Sequence, residues 1–207
     1  MSLNKNSKDL NDLNCDFVGG AVGHRLKYGG GRGQALPSAI GMKGGACPTV
    51  VDATAGLGRD SFLLASLGAT VTLIERSDIM HQKLADGIAR AIAAGGVVAE
   101  IMSRMTLLHG DSIELLSQFC PDVVLIDPMH APRKTSALVK KEMRQIREIV
   151  GADNDSHDLM VAALKSAQKR VVLKWPKKAD PIEGIKPPSH QLIGKSTRYD
   201  VWMVLSK

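Results

Sequence analysis

The sequence predicts an α/β fold with a mostly parallel central sheet, a C-terminal antiparallel hairpin and a small N-terminal extension. Three observations predict it. Short β-rich apolar runs alternate with helical patterns between residues 49 and 174. The first run breaks into a glycine turn, Ala53-Thr-Ala-Gly-Leu-Gly58, that opens a helix. The chain closes on two β-rich runs separated by Lys195 to Arg198, a stretch too short for a crossover helix.

Thr49, Val50 and Val51 suit a buried first strand, while Gly56 and Gly58 permit positive φ and let a ligand approach the backbone. A helix follows from Arg59 to Leu67, its first amides aimed above the strand ends. Leu67-Gly68-Ala69 ends it, and Thr70 to Ile74 form the second strand. Asp78 caps a helix to Ala94, with Ile79, Leu84, Ile88 and Ile92 as its apolar stripe and Gly95-Gly96 as its stop. Met105 to Leu108 make the third strand, and Asp111 or Ser112 caps a helix through Gln118. Asp122 to Ile126 is the most continuous apolar run, which places the fourth strand centrally.

Beyond it, Ser136 to Val150 reads as a basic amphipathic helix and Asp155 to Gln168 as another. Arg170 to Lys174 form the fifth strand, closed by Trp175-Pro176, before a Pro-rich loop from Lys177 to Pro188. Gln191 to Gly194 and Tyr199 to Leu205 make the hairpin. Upstream, Ala35 to Ile40 suit a short helix, and Phe17 to Val22 with Arg25 to Tyr28 a small hairpin. Residues 1–13 therefore read as a disordered or truncated leader, 14–45 as a small Gly-rich basic segment, and 46–207 as the principal domain.

The 207 residues can bury one sizeable core, and 44% hydrophobic with 23% charged residues is ordinary for a globular chain. No apolar run is long enough to span a membrane, and the polar first residues lack the apolar centre of a secretion signal, so a cytoplasmic protein is expected. Cys15, Cys47 and Cys120 are scattered, with neither a disulfide framework nor a metal site in their spacing. The net charge of +6 favours a polyanionic partner. The chain is expected to act as a monomer.

Three acids follow successive strands: Glu75 after the second, Asp111 after the third and Asp127 after the fourth. They are expected to meet above one sheet edge, where open α/β sheets bind ligands. Glu75 stands about 20 residues beyond the glycine turn, the place of a ribose-binding carboxylate, and Asp111 can accept from an adenine amine. Ser61 stands where a dinucleotide fingerprint wants its third glycine, which favours a smaller nucleoside over NAD. In Asp127-Pro128-Met129-His130, proline fixes the turn and removes a donor, so the carboxylate and nearby carbonyls present acceptors to a planar amine. This resembles the Asp/Asn-Pro-Pro-aromatic motif of methyltransferases acting on exocyclic amines.

The runs Val51 to Asp60, Glu75-Arg76, Asp127-Pro128-Met129 and Ser136 to Arg144, with Phe17-Val-Gly-Gly20 and Gly29 to Gly33 upstream, resemble the ribosomal RNA small subunit methyltransferase J family. The resemblance covers nearly the whole chain after Asn14. It implies a Rossmann-like class I methyltransferase that uses S-adenosyl-L-methionine to methylate the exocyclic N2 amine of a guanine in small-subunit (16S) ribosomal RNA. It implies Arg59, Asp60, Glu75, Arg76, Asp111, Ser112 and Asp127 as cofactor contacts, with Asp52, Gly56 and Gly58 of the turn completing the set. Asp127, Pro128 and His130 are then the catalytic candidates. The family carries an aromatic where His130 stands, and imidazole can also stack on a base. By that resemblance the chain is expected to begin late, with a small N-terminal portion of the family missing or shortened.

Lys134, Lys140, Lys141 and Arg144 would track phosphates beside Arg133, with Arg25, Lys27 and Arg32 across the pocket. Lys174 and Lys195 to Arg198, at strand ends, can add to the rim. The partner is then small-subunit ribosomal RNA or the assembled small subunit, with neither membrane nor metal. A small-molecule amine methyltransferase and a non-catalytic RNA-binding module are the alternatives from the residues alone.

Overall fold

The computed structural model describes residues 15–19, 31–128 and 155–204. Within them a seven-stranded sheet runs β3-β2-β1-β4-β5-β7-β6. The strands are β1 Thr49–Asp52, β2 Thr70–Glu75, β3 Met105–His109, β4 Val123–Ile126, β5 Arg170–Pro176, β6 His190–Ile193 and β7 Thr197–Met203. The first five are mutually parallel. β7 pairs antiparallel with both β5 and β6, so the hairpin joins the sheet through its second strand and leaves β6 at the edge. β4 occupies the middle of the order, and all four of its residues are buried.

Numbered over the described residues, the helices are α1 Ala35–Ile40, α2 Arg59–Ser66, α3 Asp78–Ala94, α4 Gly96–Met102, α5 Ser112–Leu115 and α6 Ser156–Ser166. A 3-10 turn, Leu116–Gln118, continues α5. One core lies between the sheet and α1 to α4, with Leu64, Leu73, Met80, Leu84 and Ile101 at its centre. The other lies between the opposite face and α5 to α6, around Val124, Ile126, Leu116, Met160 and Trp202. The alternating side chains of β5 divide accordingly, Val172 into the first core and Val171, Leu173 and Trp175 into the second.

The structure departs from the sequence reading around α3. Ser77, whose hydroxyl accepts from the Met80 N–H at 3.5 Å, is the cap rather than Asp78. The buried stripe is Met80, Leu84, Gly87 and Ala91, leaving Ile79 and Ile92 exposed. Gly87 sits on this stripe because Cys15 packs against it so closely that a Cβ would fall 2.6 Å from the Cys15 carbonyl oxygen. Phe17 is likewise buried and stacks on Phe62 at 5.1 Å, so Cys15 and Phe17 are part of the core. The Gly95-Gly96 pair ends α3 but also starts α4, a helix the glycines hid from the sequence reading. The expected hairpin over residues 17–28 and the helix over Ser136 to Val150 lie outside the described residues, apart from Phe17 to Gly19.

Candidate active site

The chain proceeds from β1 to β2 on one side and returns to place β4 on the other, so the sheet's switch point lies between the carboxyl ends of β1 and β4. A crevice opens there, lined by Ala53, Thr54 and Gly56 after β1, Glu75 and Arg76 after β2, Asp111 and Ser112 after β3, and Asp127 and Pro128 after β4. Asp155, Ser156 and Leu159 at the start of α6 close its remaining side. The three strand-end acids thus meet as the sequence led us to expect.

Hydrogen bonds tie the four strand ends into one frame. Ala53 N–H donates to the Leu125 carbonyl at 2.9 Å, and Ala55 N–H to that of Ile74 at 3.1 Å. The Ser112 hydroxyl donates to the Ala53 carbonyl at 2.7 Å. The Asp127 N–H donates to the Thr54 hydroxyl at 2.7 Å, fixing the acidic turn after β4 against the glycine turn after β1. Asp111 caps α5 by accepting from the Ile113 N–H at 2.8 Å.

Glu75 is buried, and its two oxygens accept the N–H groups of Gly56 and Ser77, each at 2.8 Å. A carboxylate has about four acceptor positions. Capacity therefore remains on Glu75 for a ribose diol in the crevice it lines. Gly56, at φ 53°, brings bare backbone to the same wall. An apolar side at Ile113 and Leu159 and acceptors at Glu75, Asp111 and Asp127 fit a nucleoside with an amine-bearing base.

Other residues of the expected cofactor set take different places. Gly58 faces the core, where a Cβ would meet Leu84 Cδ1 at 2.8 Å, and it does not line the crevice. Asp52 is buried beneath the turn, accepting the Ser61 hydroxyl at 2.5 Å and the Thr54 N–H at 3.2 Å. Ser61, which disfavoured the dinucleotide reading, is the partner of this buried acid. Burial pushes the Asp52 carboxyl up to about 7, against the opposing hydrogen bonds. Arg59 and Asp60 open α2 beside the crevice, and Arg76 reaches across to Asp155 at 2.6 Å.

Lys174 is the residue whose position the sequence reading missed. Expected on an RNA rim, it points from β5 into the acids and donates to Asp60 Oδ2 at 2.6 Å and Asp127 Oδ2 at 2.7 Å. The signal for it was a lysine inside the otherwise buried run Val171, Val172, Leu173 and Trp175.

Two basic residues are corrected outright. Arg32, expected across the pocket, lies at the amino end of β1, donating to the carbonyls of Met42, Ala46 and Leu67. Its guanidinium ties a loop to the end of α2, at the amino ends of the strands and so away from the crevice at their carboxyl ends. Arg198 is buried on β7 and bonds Asp200, the Pro176 carbonyl at the end of β5 and the loop carbonyls of Lys177 and Ala179 rather than a surface ligand. Arg25, Lys27, His130, Arg133, Lys134, Lys140, Lys141 and Arg144 lie outside the described residues. Among the described residues no cluster of three His, Cys, Asp or Glu side chains could hold a metal ion, and no helix is long and apolar enough to cross a membrane.

Comparison with known proteins agrees with this geometry. The family model "Putative SAM-dependent methyltransferase" matches residues 1–204. Ribosomal RNA small subunit methyltransferase J of Agrobacterium fabrum is 67% identical over 189 residues, 91% of each chain. The protein of the same name from Brucella anthropi is 65% identical over 94% of this chain and 95% of its own. A crystal structure of a SAM-dependent methyltransferase from Neisseria gonorrhoeae superposes with a TM-score of 0.73 at 36% identity, covering 93% of this chain and 74% of that one. A fold with its nucleoside crevice at the β1–β4 switch point and relatives this similar lead to one conclusion: the chain belongs to the SAM-dependent methyltransferases and, within them, to the ribosomal RNA small subunit methyltransferase J family.

Proposed function

We propose that this enzyme methylates the exocyclic N2 amine of a guanine in small-subunit ribosomal RNA, working as a monomer in the cytoplasm on the RNA or on the assembled small subunit. The observation that carries the reading is the Asp127-Pro128 turn, which lines the same crevice as Glu75 and Asp111 and is held there by Thr54 and Lys174. The names of the relatives supply the RNA.

Bound S-adenosylmethionine supplies an electrophilic methyl group on a sulfonium. Glu75 would hold its ribose and Asp111 the adenine amine, with Gly56 and Arg76 along the wall between. That leaves Asp127 and the Pro128 carbonyl toward the acceptor. A guanine amine is a weak nucleophile because its lone pair is shared with the ring. Acceptors on its N–H groups turn that lone pair toward the methyl and stabilise the positive charge that develops on nitrogen. No side-chain nucleophile is needed, and proton loss can follow transfer. Pairing of Arg25, Lys27, Arg133, Lys134, Lys140, Lys141 and Arg144 with phosphates, and stacking of His130 on the base, would bring the target in.

The test is to map labelled methyl transfer on small subunits, and on their naked RNA, from a strain lacking the enzyme. Label on a single guanine N2 is expected. Label confined to a small metabolite, or RNA binding without transfer, overturns the reading. Asp127→Ala is expected to fold and to lose about 10²–10³ in single-turnover rate with cofactor and RNA saturating.

A further inference from the structure

Lys174 brings one positive charge into a group of three acids. Its Nζ touches Asp60 at the head of α2 and Asp127 at the end of β4, and both of those carboxylates act on the buried Asp52 of β1. Across the strand pair its register partner is Tyr199 of β7. Burial alone would depress the lysine, yet the Asp127 and Asp60 carboxylates hold it well above the ordinary lysine range. It is therefore an ammonium at every working pH and cannot serve as a base.

We propose that Lys174 is a positioning residue for methyl transfer, holding the Asp127 carboxylate ionised and oriented at the crevice and coupling it to the helix that follows the glycine turn. This rests on the reading of Asp127 as an acceptor for the substrate amine. Without the ammonium, Asp60 and Asp127 would lose the cation they share, beside the buried Asp52. Like charges at such range favour taking up a proton. A protonated Asp127 presents an O–H donor where the amine N–H needs an acceptor, so the loss of Lys174 disables Asp127 without touching it. The same contact joins two walls: α2 follows directly on the glycine turn that lines the crevice, and the β4 turn lines its other side.

The experiment compares wild type, Lys174→Met, Lys174→Arg, Asp127→Ala and the Lys174→Met/Asp127→Ala double variant. The readouts are single-turnover methylation of small subunits across a pH series and calorimetric S-adenosylmethionine affinity. Lys174→Met is expected to lose about 10- to 100-fold in rate near neutral pH, part of the scale of one electrostatic contact. The rate should recover as pH rises and the Asp127 proton is lost, giving an acid limb that wild type lacks. Lys174→Arg should restore most of the rate and abolish that limb. Cofactor affinity should change less than the rate, and the double variant should be no slower than Asp127→Ala alone. Should Lys174→Met fail to fold, Lys174→Gln, which keeps a hydrogen-bonding head without charge, gives the same readout. A flat pH profile, or an equal further loss in the Asp127→Ala background, overturns the positioning role and leaves Asp127 as acceptor intact. Full activity of Asp127→Ala would instead refute the acceptor reading itself.

Discussion

Glu75 Oε2 accepts the Gly56 N–H at 2.8 Å, so the acid at the end of β2 holds the glycine turn that follows β1. Its Oε1 meanwhile accepts the N–H of Ser77, the cap of α3. One buried carboxylate thus organises the turn and the start of a helix, and it lines the crevice where we propose that it holds the ribose. The sequence pointed to Glu75 at the crevice; its bond to Gly56 joins residues 19 apart and its bond to Ser77 residues 2 apart, and spacing alone displays neither.

Glu75→Ala should therefore fail twice. Loss of the ribose acceptor is expected to weaken S-adenosylmethionine binding by about 1–3 kcal/mol, the range for a hydrogen bond involving a charged group. The Gly56 and Ser77 N–H groups also lose their partner, so thermal unfolding should shift downward without ligand present. Calorimetry and melting curves read the two separately. Unchanged cofactor affinity in a folded variant would take Glu75 out of the ribose site.

Gly58 holds the turn from the other side. It sits at φ 66°, and an added Cβ would lie 2.8 Å from Leu84 Cδ1 and 3.3 Å from Phe17 Cζ. Gly58→Ala should cost about 2–4 kcal/mol, combining the left-handed backbone term with overpacking. Gly96, at φ 60° with nothing within 4 Å of its Cβ position, supplies the control. Gly96→Ala should cost only the backbone term, about 1–2 kcal/mol. Equal losses in denaturant titrations of the two variants would show that packing at Gly58 is slack.

The comparison between Gly56 and Gly58 marks how far the sequence could be read. Both glycines were legible as a turn, and the alternation of strands and helices pointed to a mostly parallel sheet with a crevice above its strand ends, while the strand order that puts the switch point between β1 and β4 came from the structure. Which glycine lines the crevice and which meets Leu84 depends on the direction of a missing side chain, fixed only by tertiary packing. Asp111, Asp127 and Glu75 were legible because they repeat at one structural position. Lys174 and Arg198 were misread because a charged residue near a strand end looks the same in sequence whether it faces solvent or a buried carboxylate. Arg32 was misplaced by proximity in sequence to the Gly-rich segment, although its acceptors lie at the amino ends of β1 and β2, away from the crevice.

Arg198 gives a direct test of that correction. Its Nε meets Asp200 at 3.0 Å, and its Nη1 donates to the carbonyls of Pro176, Lys177 and Ala179. Arg198→Ala leaves a buried carboxylate facing lost partners, which costs about 3–5 kcal/mol. The salt dependence of RNA binding by the folded variant should match wild type, because a guanidinium committed to the interior releases no counterions. A shallower salt slope with little loss of stability would return Arg198 to the RNA surface.

Asp52 makes stability depend on pH in a direction opposite to that of most carboxylates. Burial is the main cause, with the nearby Asp60 and Asp127 charges adding to it, while the Ser61 and Thr54 hydrogen bonds pull the other way. The folded protein keeps the Asp52 proton up to about pH 7, whereas the unfolded chain gives it up near its ordinary value of 3.8. Between those points the folded state binds more protons, so this residue's contribution is fully present below the unfolded value and is lost as pH rises through about 7. Asp52→Asn removes the titration while keeping an acceptor for Ser61 and Thr54. Relative to wild type, the variant should become more stable on going from about pH 4 to about pH 8, by on the order of 2–4 kcal/mol. Urea unfolding of both proteins at the two pH values measures the change. A stability gap that stays constant with pH would mean that Asp52 ionises normally in the folded protein, with water or a cation reaching it beneath the turn.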